Sequence, residues 1–119
     1  MIAKKYRFHG YGSLKFVYSK GRVARSKYLA IKFHPNPRRE NSRLAVVVSK
    51  KVTKKAPARN RIRRRIYESM RVKWNLINHA PANDMIITVF DERIGTIPSK
   101  ELDLIIDELL TSARLKNQT

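Results

Sequence analysis

Between Lys50 and Arg65 the chain runs KKVTKKAPARNRIRRR, nine basic residues in 16 with no acid among them. Charged faces of ordinary proteins interleave both signs, which limits self-repulsion. A run this uniform cannot enter a core, and it stays compact on a surface only where something anionic neutralises it. The rest of the charge is distributed the same way. Residues 1–73 hold 23 Lys and Arg against Glu40 and Glu68, a balance of +21, whereas residues 74–119 hold four against seven acids, a balance of −3. At +18 overall, the expected partner is nucleic acid, bound by one end of the chain while the other mostly folds.

With 119 residues, 42% of them hydrophobic, the chain is expected to form one domain over 1–119 with a modest core. There is no cysteine, so disulfides, thiolate zinc sites and cysteine nucleophiles are excluded, and a reducing compartment suits the chain. The N-terminus lacks the apolar core of a signal peptide, and no stretch approaches the ~18 apolar residues of a membrane span. These features point to a cytoplasmic protein with no membrane partner and no obligate protein partner.

Residues 1–12 mix Lys4, Lys5 and Arg7 with Tyr6, Phe8 and Tyr11 without a period, and read as an extended arm. Ser13 is placed to cap a short helix with Leu14, Val17 and Tyr18 on one side and Gly21 as a left-handed stop. Tyr28 to Phe33 alternates as a strand, with Leu29, Ile31 and Phe33 on one face and Tyr28, Ala30 and Lys32 on the other. After a Pro/Asn turn region, Leu44 to Val48 is an apolar run typical of a buried strand, expected beside the first and antiparallel to it. From about Arg59 a helical stripe of Ile62, Ile66, Met70 and Ile77 appears, interrupted by Lys73, where the helix should fray or the lysine snorkel. Met85 to Phe90 reads as a further strand. Ser99 is placed to cap an acidic amphipathic helix that buries Leu102, Ile105, Ile106, Leu109 and Leu110. The fold class is therefore α/β, a small two-layer sandwich of helices on a sheet of at least three strands, in the order α-β-β-α-β-α.

Catalytic signals are weak. His9, His34 and His79 are scattered, with no metal-binding i, i+4 pair. Asp91 and Glu92 are adjacent and face apart on an extended chain, Ser49 sits in no GxSxG elbow, and there is no phosphate-binding glycine loop. No catalytic residue and no protein-held metal is expected. The basic segment is different, because the backbone N–H groups and positive dipole end near Arg59, Asn60 and Arg61 favour a phosphate. Asn60 can cap the helix or read a base edge. Arg61, Arg63, Arg64 and Arg65 fan around the helix at 100° per residue, suiting the curved phosphate surface of folded RNA. Tyr6, Phe8, Tyr11, Phe16, Tyr18 and Tyr28 interleave with basic residues. Such rings either stack unpaired bases or anchor the short helix on the sheet.

The segment SKKVTKKAPARNRIRRRIYE resembles the signature of the bacterial ribonuclease P protein component, in which a strand ending Ser-Lys-Lys leads through a short loop to an Arg-Asn-Arg helix start. Those residues are Ser49, Lys50 and Lys51, then Arg59, Asn60 and Arg61, and LKFVYSKG (14–21) looks like the family's first helix. The resemblance implies the small subunit of a ribonucleoprotein endonuclease that removes the 5′ leader of precursor tRNA, with the catalytic Mg2+ held mainly by the RNA subunit. It also implies a left-handed βαβ crossover. By position, Lys50, Lys51, Lys54, Lys55, Arg59, Asn60, Arg61, Arg63, Arg64 and Arg65 would contact ribonuclease P RNA. Leu14, Phe16, Tyr18, Tyr28 and Lys50 would line the cleft for the precursor-tRNA leader. An alternative from another class is a ribosomal protein that binds rRNA structurally and leaves tRNA processing untouched. A protein-only nuclease would need clustered carboxylates, and a DNA-binding reading lacks a helix-turn-helix pair.

Overall fold

The computed structural model describes residues 6–7, 11–79 and 81–115. In chain order they form α1 (Tyr11–Lys20), β1 (Arg22–Ser26), β2 (Leu29–Pro35), β3 (Arg43–Val48), α2 (Ala56–Ile77), β4 (Asn83–Val89), a 3-10 turn (Glu92–Gly95) and α3 (Ser99–Ser112). The four strands make one mixed sheet in the order β1-β2-β4-β3, with β3 and β4 parallel and the other pairs antiparallel. No described helix is long and apolar enough to cross a membrane.

Alternation along the strands sends two sets of side chains to opposite faces. Leu29 and Ile31, Leu44 and Val46, and Met85 and Ile87 meet α2 and α3 in the main core, together with Ile62, Ile66, Met70, Ile106 and Leu109. On the other face Val17 of α1 packs on Ala45 and Ile86. The sandwich of sheet and long helices is thus as expected, and α1 covers part of the outer face. The hand of β3–α2–β4 follows from the same alternation and from L configuration. With α2 toward the viewer and β4 running upward, Ala82 and Phe90 carry side chains on the far face, in phase with Ile86, and their backbone groups point left. Both bond the β2 side, the Asn36 N–H to the Ala82 carbonyl at 2.7 Å and the Phe90 N–H to the Tyr28 carbonyl at 2.9 Å. So β2 lies to the left of β4 and β3 to its right. The chain moves leftward from β3 to β4 with the helix in front, a left-handed crossover that breaks the usual rule.

Several local expectations are corrected. β1 was not foreseen, since RVARS has no apolar alternation and is a hairpin edge carried by its pairing with β2. β2 and β3 are not neighbours, because β4 enters between them. α1 begins at Tyr11, so Ser13 lies inside it, and α3 is preceded by Pro98 with no side-chain cap, so Ser99 is its first residue. α2 starts a turn earlier than Arg59, where Pro57 suits the first helical positions. Lys73 neither frays the helix nor escapes to water. It is buried, its Nζ donating to Ser69 Oγ at 3.2 Å and lying 3.6 Å from Asp103 and 4.0 Å from Asp107 on α3. Of the expected arm, Tyr6 stacks on Trp74 with centroids 5.2 Å apart and Arg7 bridges to Leu44 on the open edge of β3. Lys4, Lys5, Phe8 and His9 lie outside the described residues.

Gly21 is required for closeness rather than for a left-handed turn. A Cβ there would sit 2.5 Å from the Val17 carbonyl oxygen and 3.1 Å from that of Phe33, both backbone atoms. Gly21→Ala should therefore destabilise the fold by about 1–3 kcal/mol, the usual cost of overpacking. A urea midpoint equal to that of the unaltered protein would show that α1 can lift without penalty.

Candidate nucleic-acid interface

The loop after β3 and the first turns of α2 carry the basic run. Lys55 is the N-cap of α2 without a side-chain cap bond, and the first turn holds no acid, so the positive end of a 22-residue helix has no acidic partner in its own first turn. Around it Lys50, Lys51, Lys54, Lys55, Arg61 and Arg64 are exposed. Lys55, Arg61 and Arg64 form one side of an open groove of about 930 Å³ whose other side is Glu92 and Arg93 of the 3-10 turn and Thr96 just after it.

The remaining arginines of the run are committed within the fold. Arg59 Nη1 donates to the Thr53 carbonyl at 3.1 Å and holds the loop to the helix. Arg63 Nη1 donates to Asn60 Oδ1 at 3.1 Å, so Asn60 neither caps the helix nor stands unengaged. Arg65 donates Nη1 to the Ile94 carbonyl at 2.6 Å and Nη2 to the Ile97 carbonyl, tying α2 to the 3-10 turn. Further along, Tyr67 is buried, which pushes its phenol up, and the Arg7 guanidinium lies 5.7 Å from its ring centroid. Glu68 is the one acid of α2, and hydrogen bonds from Arg71 hold its carboxyl down at about 2.

A second surface lies on the outer face of the sheet beside α1. Tyr18 is 38% exposed, and Lys32 donates from Nζ to its carbonyl at 2.9 Å while lying 5.3 Å from its ring centroid. Along the same face toward the end of β4, Phe90 is 55% exposed with Arg25 5.8 Å from its ring. Leu14 is half-buried against the Val17 cluster and anchors the helix. Phe16, 200° around α1 from Tyr18 by helical geometry, points the other way. It meets His34 edge-on with centroids 5.1 Å apart. Tyr28 is not on this face. It occupies the β1–β2 turn at φ 68°, rests on the main core, and accepts a hydrogen bond from Arg93 Nη1 at 3.1 Å.

Arg25, Lys32, Phe90 and Arg93 were not foreseen as candidates. Lys32 and Phe90 carry a signal in their strand alternation, but Arg25 belongs to the unforeseen strand and Arg93 to the turn. Among the described residues no group of three or more His, Asp or Glu could hold a metal ion. His79 donates from Nε2 to the Leu115 carbonyl at 3.0 Å.

The ribonuclease P family profile matches residues 2–114. A ribonuclease P protein component from Photobacterium profundum is 33% identical over 95 residues, covering 80% of this chain and 76% of the relative. One from Synechocystis is 30% identical over 99 residues, covering 79% and 74%. The fold matches the ribonuclease P protein of Staphylococcus aureus at a TM-score of 0.81 with 24% identity, over 94% of this chain and 98% of that one. It also matches that of Thermotoga maritima, solved with 1-(4-fluorophenyl)-2-thiourea, at 0.76 with 21% identity over 87% and 96%.

Proposed function

The chain belongs to the ribonuclease P protein component family, the protein subunit of a tRNA-processing ribonucleoprotein, and on that premise we propose that it grips two RNAs with two separate surfaces. The groove of Lys55, Arg61 and Arg64, extended by Lys50, Lys51 and Lys54, takes phosphates of ribonuclease P RNA at the uncapped start of α2. The outer sheet face beside α1 takes the single-stranded 5′ leader of precursor tRNA, with Tyr18 and Phe90 as stacking rings and Lys32 and Arg25 on phosphates. The observation that carries this reading is the pairing of exposed aromatic rings with cations on the outer face of a sheet whose other face is packed. Rings on an open surface stack bases that no duplex has already stacked.

Hydrolysis belongs to divalent ions held by the RNA subunit, and the protein lowers the repulsion between two polyanions in the cytoplasm. Its benefit should then be largest at low magnesium, where fewer counterions do that work. The test is cleavage of a precursor tRNA by a bacterial ribonuclease P RNA with the protein, without it, and with the protein alone. Activity at low magnesium only in the mixture, fading in advantage as magnesium rises, is the expected result. Cleavage by the protein alone would move the chemistry onto this chain, and no stimulation would favour a structural rRNA binder.

A further inference from the structure

Phe16, which points away from the leader face, is left without a role by that reading. Its ring is 53% exposed and lines an open cavity of about 570 Å³ bounded by His34 and Pro35 at the end of β2 and by Pro37 and Arg38 of the β2–β3 loop. The floor is fixed. Arg43 donates to both oxygens of Asp84 at 2.8 and 2.9 Å, and Asn36 Nδ2 donates to the same carboxylate at 3.0 Å. Asn36 Oδ1 in turn accepts from the Arg38 N–H at 3.3 Å, so the loop that carries Arg38 is held by the floor.

From this arrangement we infer that the cavity behind α1 is a second RNA subsite, built for one unpaired nucleotide. A base lies on the solvent face of Phe16 between the ring and the proline wall, and its phosphate meets Arg38 and Arg39. The chemistry selects this ligand on three counts. An edge-on contact with His34 leaves a ring face open, which is what a base already unstacked from a helix requires. Asp84 is saturated by Arg43 and Asn36, so the floor presents no bare negative charge to a phosphate. The volume falls within the ~300–1,000 Å³ range of sites that enclose small ligands, too small for a duplex. Because Phe16 and Tyr18 lie on opposite sides of α1, this pocket is distinct from the leader face, although its RNA context rests on the function proposed above. The nucleotide can come from a leader long enough to cross α1 or from an unpaired residue of ribonuclease P RNA.

Equilibrium binding of the full-length protein to four RNAs tests the inference: ribonuclease P RNA, a precursor tRNA with a long leader, one with a leader cut to a few nucleotides, and a blunt RNA duplex. Phe16→Ala should weaken one of the first two about tenfold, the scale of a lost base stack. It should leave the short-leader precursor and the duplex unchanged. Arg38→Ala, on an exposed loop, should weaken the same RNA and reduce its salt slope by about 0.7, one single-strand phosphate. Which RNA responds identifies the source. Unchanged binding in all four, or an equal loss on the duplex, overturns the subsite. A Tyr18→Ala variant that no longer distinguishes long from short leaders tests the leader face separately, so failure of one reading is not mistaken for failure of the other.

Discussion

Replacing Arg61 and Arg64 together by alanine should weaken binding to ribonuclease P RNA about a hundredfold while leaving the thermal midpoint nearly unchanged. Both side chains are exposed, both line the groove at the start of α2, and neither makes a hydrogen bond or an ion pair with any described residue. Charge-assisted bonds to phosphate contribute about 1.5–3 kcal/mol each, and at exposed sites the low end applies, so the pair contributes about 3 kcal/mol, which sets the scale of the double loss. Removing two phosphate contacts should also lower the slope of log K against log salt by about 1.5. Arg65 looks the same in sequence and should behave in the opposite way. Its guanidinium satisfies the carbonyls of Ile94 and Ile97, so Arg65→Ala costs about 2 kcal/mol of stability, with RNA affinity affected only through the position of the 3-10 turn. Filter binding across a salt series, read beside thermal melts of the same variants, separates the two classes. Equal affinity losses at Arg65 and Arg61 with unchanged melts would mean that the tether is not formed in solution.

That contrast marks the boundary of what the sequence discloses. Charge is additive and local, so a run of nine cations without an acid announces a polyanion surface before any fold is known. The division of labour among those cations is not local. Arg59 and Arg65 are recruited by carbonyls at Thr53, Ile94 and Ile97, and nothing within the helix's own periodicity names them. The same holds for the strands. Leu44–Val48 and Met85–Val89 are legible because both faces are buried, whereas Arg22–Ser26 is polar and exists as a strand only by pairing with β2. Strand order departs from expectation for a related reason. Sequence neighbours pair by default, and here the parallel crossover inserts β4 between β2 and β3. Alternation along Tyr28 to Phe33 puts Tyr28 on the face of Ala30 and Lys32, but the strand begins at Leu29 and Tyr28 sits in the hairpin turn, where the positive φ swings its ring onto the other side. Lys73 breaks an apolar stripe in sequence, and its carboxylate partners Asp103 and Asp107 lie on a helix that comes into register only in three dimensions.

The largest stability effect is expected at Asp84. Burial pushes its carboxyl up, but the bonds from Arg43 and Asn36 outweigh it and hold the carboxyl below the usual range. The Arg43 and Asp84 side chains are only 13% and 11% exposed, so removing either leaves the other charged with little water to replace its partner. Asp84→Ala should cost about 3 kcal/mol, the lower end for breaking a buried pair, and lower the thermal midpoint by about 10 °C. The pH dependence has a fixed sign. A carboxylate whose folded value lies below its unfolded value of about 3.9 contributes stability that is complete above the unfolded value and is lost as pH falls through the folded one. The native protein should therefore lose stability faster than Asp84→Asn as the solution is acidified below about pH 4, and the two curves should run parallel near neutrality. Replacing both partners with apolar residues of similar size should recover much of the loss, because the cost lies in the stranded charge rather than in the missing attraction. Urea denaturation of the single and double variants across that pH range checks each step. A single variant as stable as the double one would mean that Asn36 and the loop beside it supply enough water to screen the remaining charge.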